Sequence, residues 1–267
     1  MKTDVHGLDG KKTGTLDLPR VFATPYRPDL ITRVVLAYQA ARRQVYGTDP
    51  MAGMRSSAHY HGYRDLRPGV VMMNKEMARL PRLHGDTPSH MAMRARLTSG
   101  AVGGRTVHGP RSTRVWAQKV NARERIAAIR SAIAATTSIE LVKSRNHNYG
   151  GSVPIVVDDA LQNIKKTKEL EKALHAIGLE KDLERSSDKR VRAGRGKTRG
   201  RRYKVRRGPL IVVSKDDGIV RAAAGLLGVD VANVNTLNAE LLAPGAHGAR
   251  LTVWTRSAVE AIGKKYA

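Results

Sequence analysis

Three groups of residues in this chain have the types and spacing of a reactive or ligating site. The first is a pair of acidic doublets, Asp158–Asp159 and Asp216–Asp217, each just after an apolar run. At the carboxyl ends of parallel strands such carboxylates can hold Mg²⁺. The same residues also cap helices, because Asp accepts from free backbone N–H groups, and capping is the expectation here. The second group is His59, His61, His84, His90 and His108. His59 and His61 are two residues apart, with no cysteine and few acids near, so polar and stacking contacts to RNA are expected and no metal site. The third is Gly196–Lys197–Thr198, which resembles the end of a phosphate-binding loop. The full pattern needs glycine at 191, which is Val191, and a strand before with a helix after; the sequence offers neither. No Ser/His/Asp order or carboxylate pair stands out from a background of 23 acids, so no catalytic residue and no cofactor is expected.

What the chain has in excess is positive charge. It carries 48 Lys and Arg against 23 acids, a formal net charge of +25. Such a molecule repels itself and needs an anionic partner, and nucleic acid is the first choice because neutralising phosphates releases counterions. A membrane surface fits less well. The basic residues follow no single helical face, no run of 18 or more apolar residues exists, and the N-terminus lacks an apolar signal core. The charge is concentrated in two places. Residues 42–114 hold thirteen Lys and Arg, all but Lys75 being Arg, against four acids, a net +9. Arg suits phosphate bidentately and stacks on bases. Residues 189–207 hold eleven Lys and Arg among 19 residues and no acid. Gly194, Gly196 and Gly200, interleaved with that run, let a backbone approach phosphates closely. A chromosomal DNA-binding protein would favour basic residues along one docking helix, whereas here they sit in loops.

The remaining sequence reads as the scaffold. Residues 1–26 alternate weakly around an Asp9–Gly10 hairpin turn. A helix is predicted from about Asp29 to Arg43, with Leu30, Val34, Tyr38 and Ala41 on one stripe and Ile31 and Val35 beside it. Residues 42–114 show no sustained period, though structureless loops beyond about 15 residues are uncommon in compact domains. This long stretch is therefore disordered or ordered from outside. Asn121 and Glu124 have capping-box spacing ahead of an apolar face of Ile126, Ile129, Ile133 and Ala134. VPIVV at 153–157 reads as a strand. A helix from Thr167 turns Leu170, Leu174 and Ile177 inward and stops at Gly178, and a short charged helix covers 180–187. After the basic run come a strand at 209–213, a helix at 217–227, strands at 231–235 and 250–254, and a last helix opened by a Ser257–Glu260 capping box. Continuous apolar strands alternating with helices imply a mainly parallel sheet covered on both faces, an α/β fold. Aromatics are only 4%, so an aliphatic core is expected. An α/β methyltransferase would need a glycine-rich turn after its first body strand, and VPIVV is followed by DDALQN instead.

Several stretches together resemble the universal large-subunit ribosomal protein four family in its archaeal and eukaryotic form. They are LDGKKTGTLDLPRVFATPYRPDLI, YGTDPMAG, ARLPRLHGD, GGRTVHGP, KVNARERIAAIRSAIAAT, RAGRGKTRGRRYKVRRGPLIVV, VNTLNAELLAPG and RLTVWTRSAVEAI. The resemblance runs nearly end to end. It implies a three-layer α/β/α body, formed by 1–41 and 115–267, and an extended loop, 42–114, threaded through rRNA to the wall of the peptide exit tunnel. It implies a cytoplasmic, ribosomal, non-enzymatic protein that aids early subunit assembly. Its partners would be large-subunit rRNA, neighbouring ribosomal proteins and the nascent polypeptide. Expected rRNA contacts are Arg55, Arg79, Arg82, Arg94, Arg96, Arg105, Arg111 and Lys119, together with Arg192, Arg195, Lys197, Arg199, Arg201, Arg202, Lys204, Arg206 and Arg207 of the basic run. Residues 59–76 depart from the family pattern, which is usually a shorter Gly/Arg stretch. The tunnel-lining candidates are Tyr63, Arg67, Met72, Met73, Arg79, Arg82 and His84.

Overall fold

The computed structural model describes residues 1–62, 71–73 and 75–266. They divide into two compact units: Met1–Arg42 with Ala117–Ala267, and Arg43–Trp116.

The first unit opens with a hairpin, β1 (Lys2–His6) and β2 (Lys12–Asp17). Gly10 takes a φ of +75° at its turn, and a Cβ there would lie 2.2 Å from the Ala176 carbonyl oxygen, so the turn excludes any side chain. The helix α1 (Pro28–Ala41) starts with proline at its first position, where the missing N–H costs nothing. α2 (Ala122–Ala135) and α3 (Ile139–Ser144) precede β3 (Ile155–Val157). α4 (Thr167–Ala176) ends at Gly178 with a φ of +88°, and α5 (Glu180–Ser187) follows. A two-stranded ladder comes next, β4 (Arg190–Val191) and β5 (Tyr203–Lys204). The chain closes through β6 (Leu210–Val213), α6 (Ile219–Ala223), β7 (Asp230–Asn233), α7 (Ala239–Leu242), β8 (Thr252–Thr255) and α8 (Arg256–Lys265).

The main sheet has six strands in the order β2-β1-β3-β8-β6-β7. β1 and β2 pair antiparallel, and every other pairing is parallel. Alternation along the strands divides the core in two. Val156, Leu210, Val212 and Trp254 face one cluster, with Ile31, Val34 and Val35 of α1, Ala132 and Ile133 of α2, and Val259 and Ile262 of α8. Ile155, Val157, Ile211, Val213 and Val253 face the other, with Leu170 and Leu174 of α4, Leu183 of α5 and Ile219 of α6. Strands buried on both faces are why these segments read as unbroken apolar runs. The sheet lies between two helical layers.

Several local expectations differ from what forms. Ile126 is 41% exposed. The face α2 buries is Ala128, Ile129, Ala132 and Ile133, whose small residues allow a close helix approach. Asn121 precedes α2 without a side-chain cap, and Glu124 instead accepts from Arg33 at 3.1 Å. α8 begins at Arg256, one residue before Ser257, with Thr255 at its N-cap position, and the capping oxygen comes from Asp159, which accepts from Ser257 N at 2.9 Å. α6 is five residues rather than eleven, and α3 and α7 are short helices without a long enough apolar period to read. The core is not purely aliphatic: Trp254 is fully buried and meets Phe22 edge to face, centroids 5.5 Å apart.

Candidate nucleic-acid interface

The basic run 189–207 is an exposed antiparallel hairpin with its base fixed in the body. Arg190 pairs with Lys204 and Val191 with Tyr203, and Arg192 N donates to the Arg202 carbonyl at 2.8 Å. Gly194 (φ +76°) and Gly200 (φ +79°) flank its tip, around a single 3-10 turn, Arg195–Lys197. Gly196–Lys197–Thr198 therefore occupies a turn in a hairpin, with no strand-to-helix context. Arg195, Lys197, Arg199, Arg201, Arg202, Lys204, Arg206 and Arg207 are exposed, and Arg192 is half-buried. Lys189 Nζ sits 4.1 Å from the centre of the Tyr203 ring, and the Arg202 guanidinium lies on that ring at 5.8 Å. Three of the eleven cations are partly committed already: Arg190 reaches Asp188 at 2.8 Å, Arg206 reaches Asp188 at 3.5 Å and Arg207 reaches Asp230 at 3.0 Å. These pairs are exposed enough to exchange for a phosphate at little cost.

The base of the hairpin is held by buried polar groups the sequence did not single out. Arg250 is fully buried; its guanidinium donates to the carbonyls of Gly208 at 2.8 Å and Gly228 at 3.2 Å and pairs with Asp230 at 2.7 Å. Asp182 of α5 is also fully buried and accepts from Arg185 Nε at 2.8 Å, from Asn148 N at 3.1 Å and from His147 Nδ1 at 3.1 Å. Arg185 in turn donates to the Arg207 carbonyl at 2.8 Å. Burial alone would push the Asp182 carboxyl up, but the hydrogen bonds from His147 and Arg185 outweigh it and hold it below the ordinary range. Burial pushes the His147 imidazole down despite Asp182, which favours its neutral form. Burial, with Arg250 and Arg185 nearby, lowers Arg145 to about 10.

The second unit, Arg43–Trp116, is two limbs lying backbone to backbone. Thr48 N donates to the Pro110 carbonyl at 2.9 Å. Gly53 has a φ of +76°, and a Cβ on it would come within 2.4 Å of the Gly104 carbonyl oxygen; only glycine lets the limbs touch there. At the start of the limbs Tyr46 stacks on Trp116 at 6.1 Å, with Arg43 and Arg114 over the indole at 4.0 and 4.3 Å. Tyr46 and Trp116 were not distinguishable in the sequence from any other aromatics. Further along, Arg82 forms isolated bridges to both His59 and Ala95, which puts three chain segments side by side.

The expected contact residues of this unit fall into two sets. Arg55, Arg79, Arg94, Arg105 and Arg111 are exposed, as is Lys119 in the first unit; Arg55 pairs with Asp49 at 2.6 Å. Arg82 and Arg96 are turned onto their own loop: Arg82 donates to the Met93 and Ala78 carbonyls at 2.8 and 3.0 Å, and Arg96 to Val102 at 3.0 Å. Met72 is fully buried, with Ala58 and His61 also buried. It therefore presents no surface to a passing chain, contrary to its expected place on a tunnel wall; an unbranched apolar side chain fills interior space as readily as it lines a surface. Met73 is half-buried. Tyr63 and Arg67 lie outside the described residues. His59, His61 and His84 converge: His84 Nε2 lies 2.6 Å from His61 Nε2 and 3.0 Å from His59 Nε2.

The acidic doublets act as caps. Asp158 accepts from Asp159 N at 2.8 Å, and Asp216 accepts from Gly218 N at 3.1 Å and Val220 N at 3.3 Å. Asp159 also accepts from Ser257 Oγ at 2.6 Å and from Gln162 Nε2 at 3.1 Å. Thus the carboxyl ends of β3 and β8, where open α/β sheets commonly take ligands, are joined by the protein's own hydrogen bonds. No helix among the described residues is long and apolar enough to cross a membrane.

A mainly parallel three-layer body whose positive charge is concentrated on a hairpin and a long two-limbed loop makes this an α/β protein with two strongly basic segments. The chain is a member of the Ribosomal protein L4/L1 family, whose model matches residues 16–265. It is 46% identical to the large ribosomal subunit protein uL4 of Archaeoglobus fulgidus, over 99% of both chains. It is 44% identical to that of Halobacterium salinarum, over 99% of this chain and all of the relative. With that of Methanosphaera stadtmanae it shares 41% identity, over 98% and 96% of the two chains. The relatives span the chain almost completely, the basic hairpin and the two-limbed unit included.

Proposed function

We propose that this chain is a non-enzymatic structural component of the large ribosomal subunit in the cytoplasm, that it binds large-subunit rRNA, and that its 43–116 unit runs between rRNA elements to the wall of the nascent-peptide tunnel. Family membership at 41–46% identity over nearly the whole chain supports the ribosomal reading. The single observation that carries rRNA binding is the concentration of exposed Arg and Lys on the 190–204 hairpin. Hydrogen bonds from Arg185 and Arg250 fix its base, so the cations are presented and not merely solvated. Contacts would go mainly to phosphate and sugar, which position without reading sequence. Gly194 and Gly200 let the backbone come close, and exposed Tyr60 and Tyr203 offer faces on which unpaired bases can stack. Docking spread over hairpin and limbs makes the protein an early assembly factor, with the nascent chain and neighbouring ribosomal proteins as further contacts. Among the described tunnel-facing candidates Arg79 is exposed, and Met73, Arg82 and His84 are half-buried.

The test is incorporation. Tagged full-length protein, expressed in an archaeal host, should co-sediment with large subunits in a sucrose gradient. A variant with Arg195, Arg199, Arg201 and Arg202 changed to Gln should shift to the unbound fractions. Absence of the unaltered protein from the large-subunit peak would refute the reading.

A further inference from the structure

We propose that His59, His61 and His84 form a binding site for one zinc-type divalent metal ion, held by three imidazole Nε2 atoms, which fastens together two segments of the 43–116 unit. The candidate ligand atoms of the three residues all lie within 4.8 Å of one another. Two of the separations are 2.6 and 3.0 Å, and both involve His84 Nε2. A neutral imidazole nitrogen offers either one proton or one lone pair, directed in its ring plane. His84 Nε2 therefore cannot make a well-formed hydrogen bond to both partners in either tautomer. A cation at the centre accepts all three lone pairs at once.

The ring orientations fit that use. Centroids are 4.1 to 4.3 Å apart, with planes inclined at 59°, 74° and 69°. The rings are thus neither stacked nor coplanar. Tetrahedral zinc with nitrogen at about 2.0–2.1 Å sets ligand nitrogens about 3.4 Å apart, so rotations moving atoms by less than about an ångström complete the set. A second feature points to the same chemistry. His59 Nδ1 lies 3.0 Å from the Ser57 carbonyl oxygen. A proton on Nδ1 donated to that carbonyl leaves the lone pair on Nε2, the outer hydrogen bond that metal-ligating histidines characteristically make.

The backbone places the ligands without help from the metal. His59 and Arg82 are bridged antiparallel, with Arg82 N donating to the His59 carbonyl at 3.1 Å, and Met72 N donates to the His61 carbonyl at 3.2 Å. His61 is buried while His59 is exposed, so one side of the cluster is open to a fourth ligand, such as water. Bound metal would cross-link the segments that carry His59, His61 and His84, and its binding energy would add to the stability of their association. His59 and His61 lie in 59–76, where the sequence departs from the family pattern, and His84 lies in the family-like stretch ARLPRLHGD.

The experiment is metal uptake by the full-length protein, stripped of metal and titrated with Zn²⁺ against a chromophoric chelator. One equivalent should bind. His61→Gln and His84→Gln should each weaken binding by more than about 100-fold, since even the loss of an outer hydrogen-bond partner costs 10- to 100-fold. His90→Gln and His108→Gln should leave it unchanged. X-ray absorption on the zinc-loaded unaltered protein, which needs no variant to fold, should show three imidazole nitrogens at about 2.0–2.1 Å. No uptake, uptake indifferent to His84→Gln, or an all-oxygen shell would overturn the proposal.

Discussion

Arg250 and Asp182 are the two charged side chains with the most to lose if a partner is removed. Arg250 gives its guanidinium to the carbonyls of Gly208, Pro209, Gly228 and Leu241 and to Asp230 while fully buried. Breaking one side of a buried, hydrogen-bonded charge pair costs roughly 3–5 kcal/mol. Because the Asp230 side chain is 29% exposed and can rehydrate, Arg250→Met is expected to cost near the lower end, about 3 kcal/mol, read as a drop in the denaturant midpoint without a change in slope. His147 gives a pH signature. Its folded-state value is depressed below 6.5 by burial, so the unfolded chain takes up a proton before the folded one. The stability it contributes is complete above 6.5 and declines as pH falls through that value towards the folded one. Chemical denaturation of the unaltered protein should show this decline from about pH 6.5 downward. His147→Gln should flatten it, leaving the acid loss from Asp182, which sets in as pH falls through the ordinary carboxylate value and continues below it. An unchanged slope in His147→Gln would mean that other groups carry the acid sensitivity.

At the scale of elements, the basic hairpin and the sheet are separable in energy though joined in the chain. Across β4, β5 and the turn between them, no side chain belongs to either core cluster. Changing Arg195, Arg199 and Arg201 to Gln should therefore leave the thermal midpoint of the body within about 2 °C, since surface substitutions usually stay within ±0.5 kcal/mol. The same variant should bind an rRNA fragment more weakly and lower the slope of log K against log salt by about 2, at roughly 0.7 for each single-strand phosphate that is no longer neutralised. A salt slope equal to that of the unaltered protein would show that these three cations touch no phosphate.

For the whole molecule, among the described residues both core clusters draw only on those before Arg42 and after Ala117. The sheet, its two helical layers and the hairpin's buried anchors lie in that unit as well. Replacing 43–116 by a short Gly/Ser linker should give a body with native helix content and one cooperative melting transition. Circular dichroism and calorimetry decide it; loss of cooperative melting would mean that the 43–116 unit contributes to folding the body.

Sequence alone determined the α/β class, the strands at 153–157, 209–213 and 250–254, the helices α1, α2, α4 and α5, and the two basic segments. Each rests on a local regularity: a run buried on both faces, a 3.6-residue period, a glycine stop or a density of charge. Asp158 and Asp216 were legible as caps for the same reason, because such a cap is a relation between near neighbours. Tertiary structure decided the rest, wherever partners far apart in sequence had to meet. Asp159 caps a helix that starts 97 residues later, a pairing no local spacing encodes. Arg250, Asp182 and His147 look in sequence like ordinary surface residues; only the fold buries them beneath the hairpin. Ile126 looked like core and is exposed, because α2 turns its alanine-rich side to α1. Met72 looked available to a tunnel and is buried. His59, His61 and His84 looked like scattered polar contacts. The return of the chain at Arg82 against His59 brings three nitrogens to one point, since convergence in space is set by backbone hydrogen bonds between segments and not by distance along the chain.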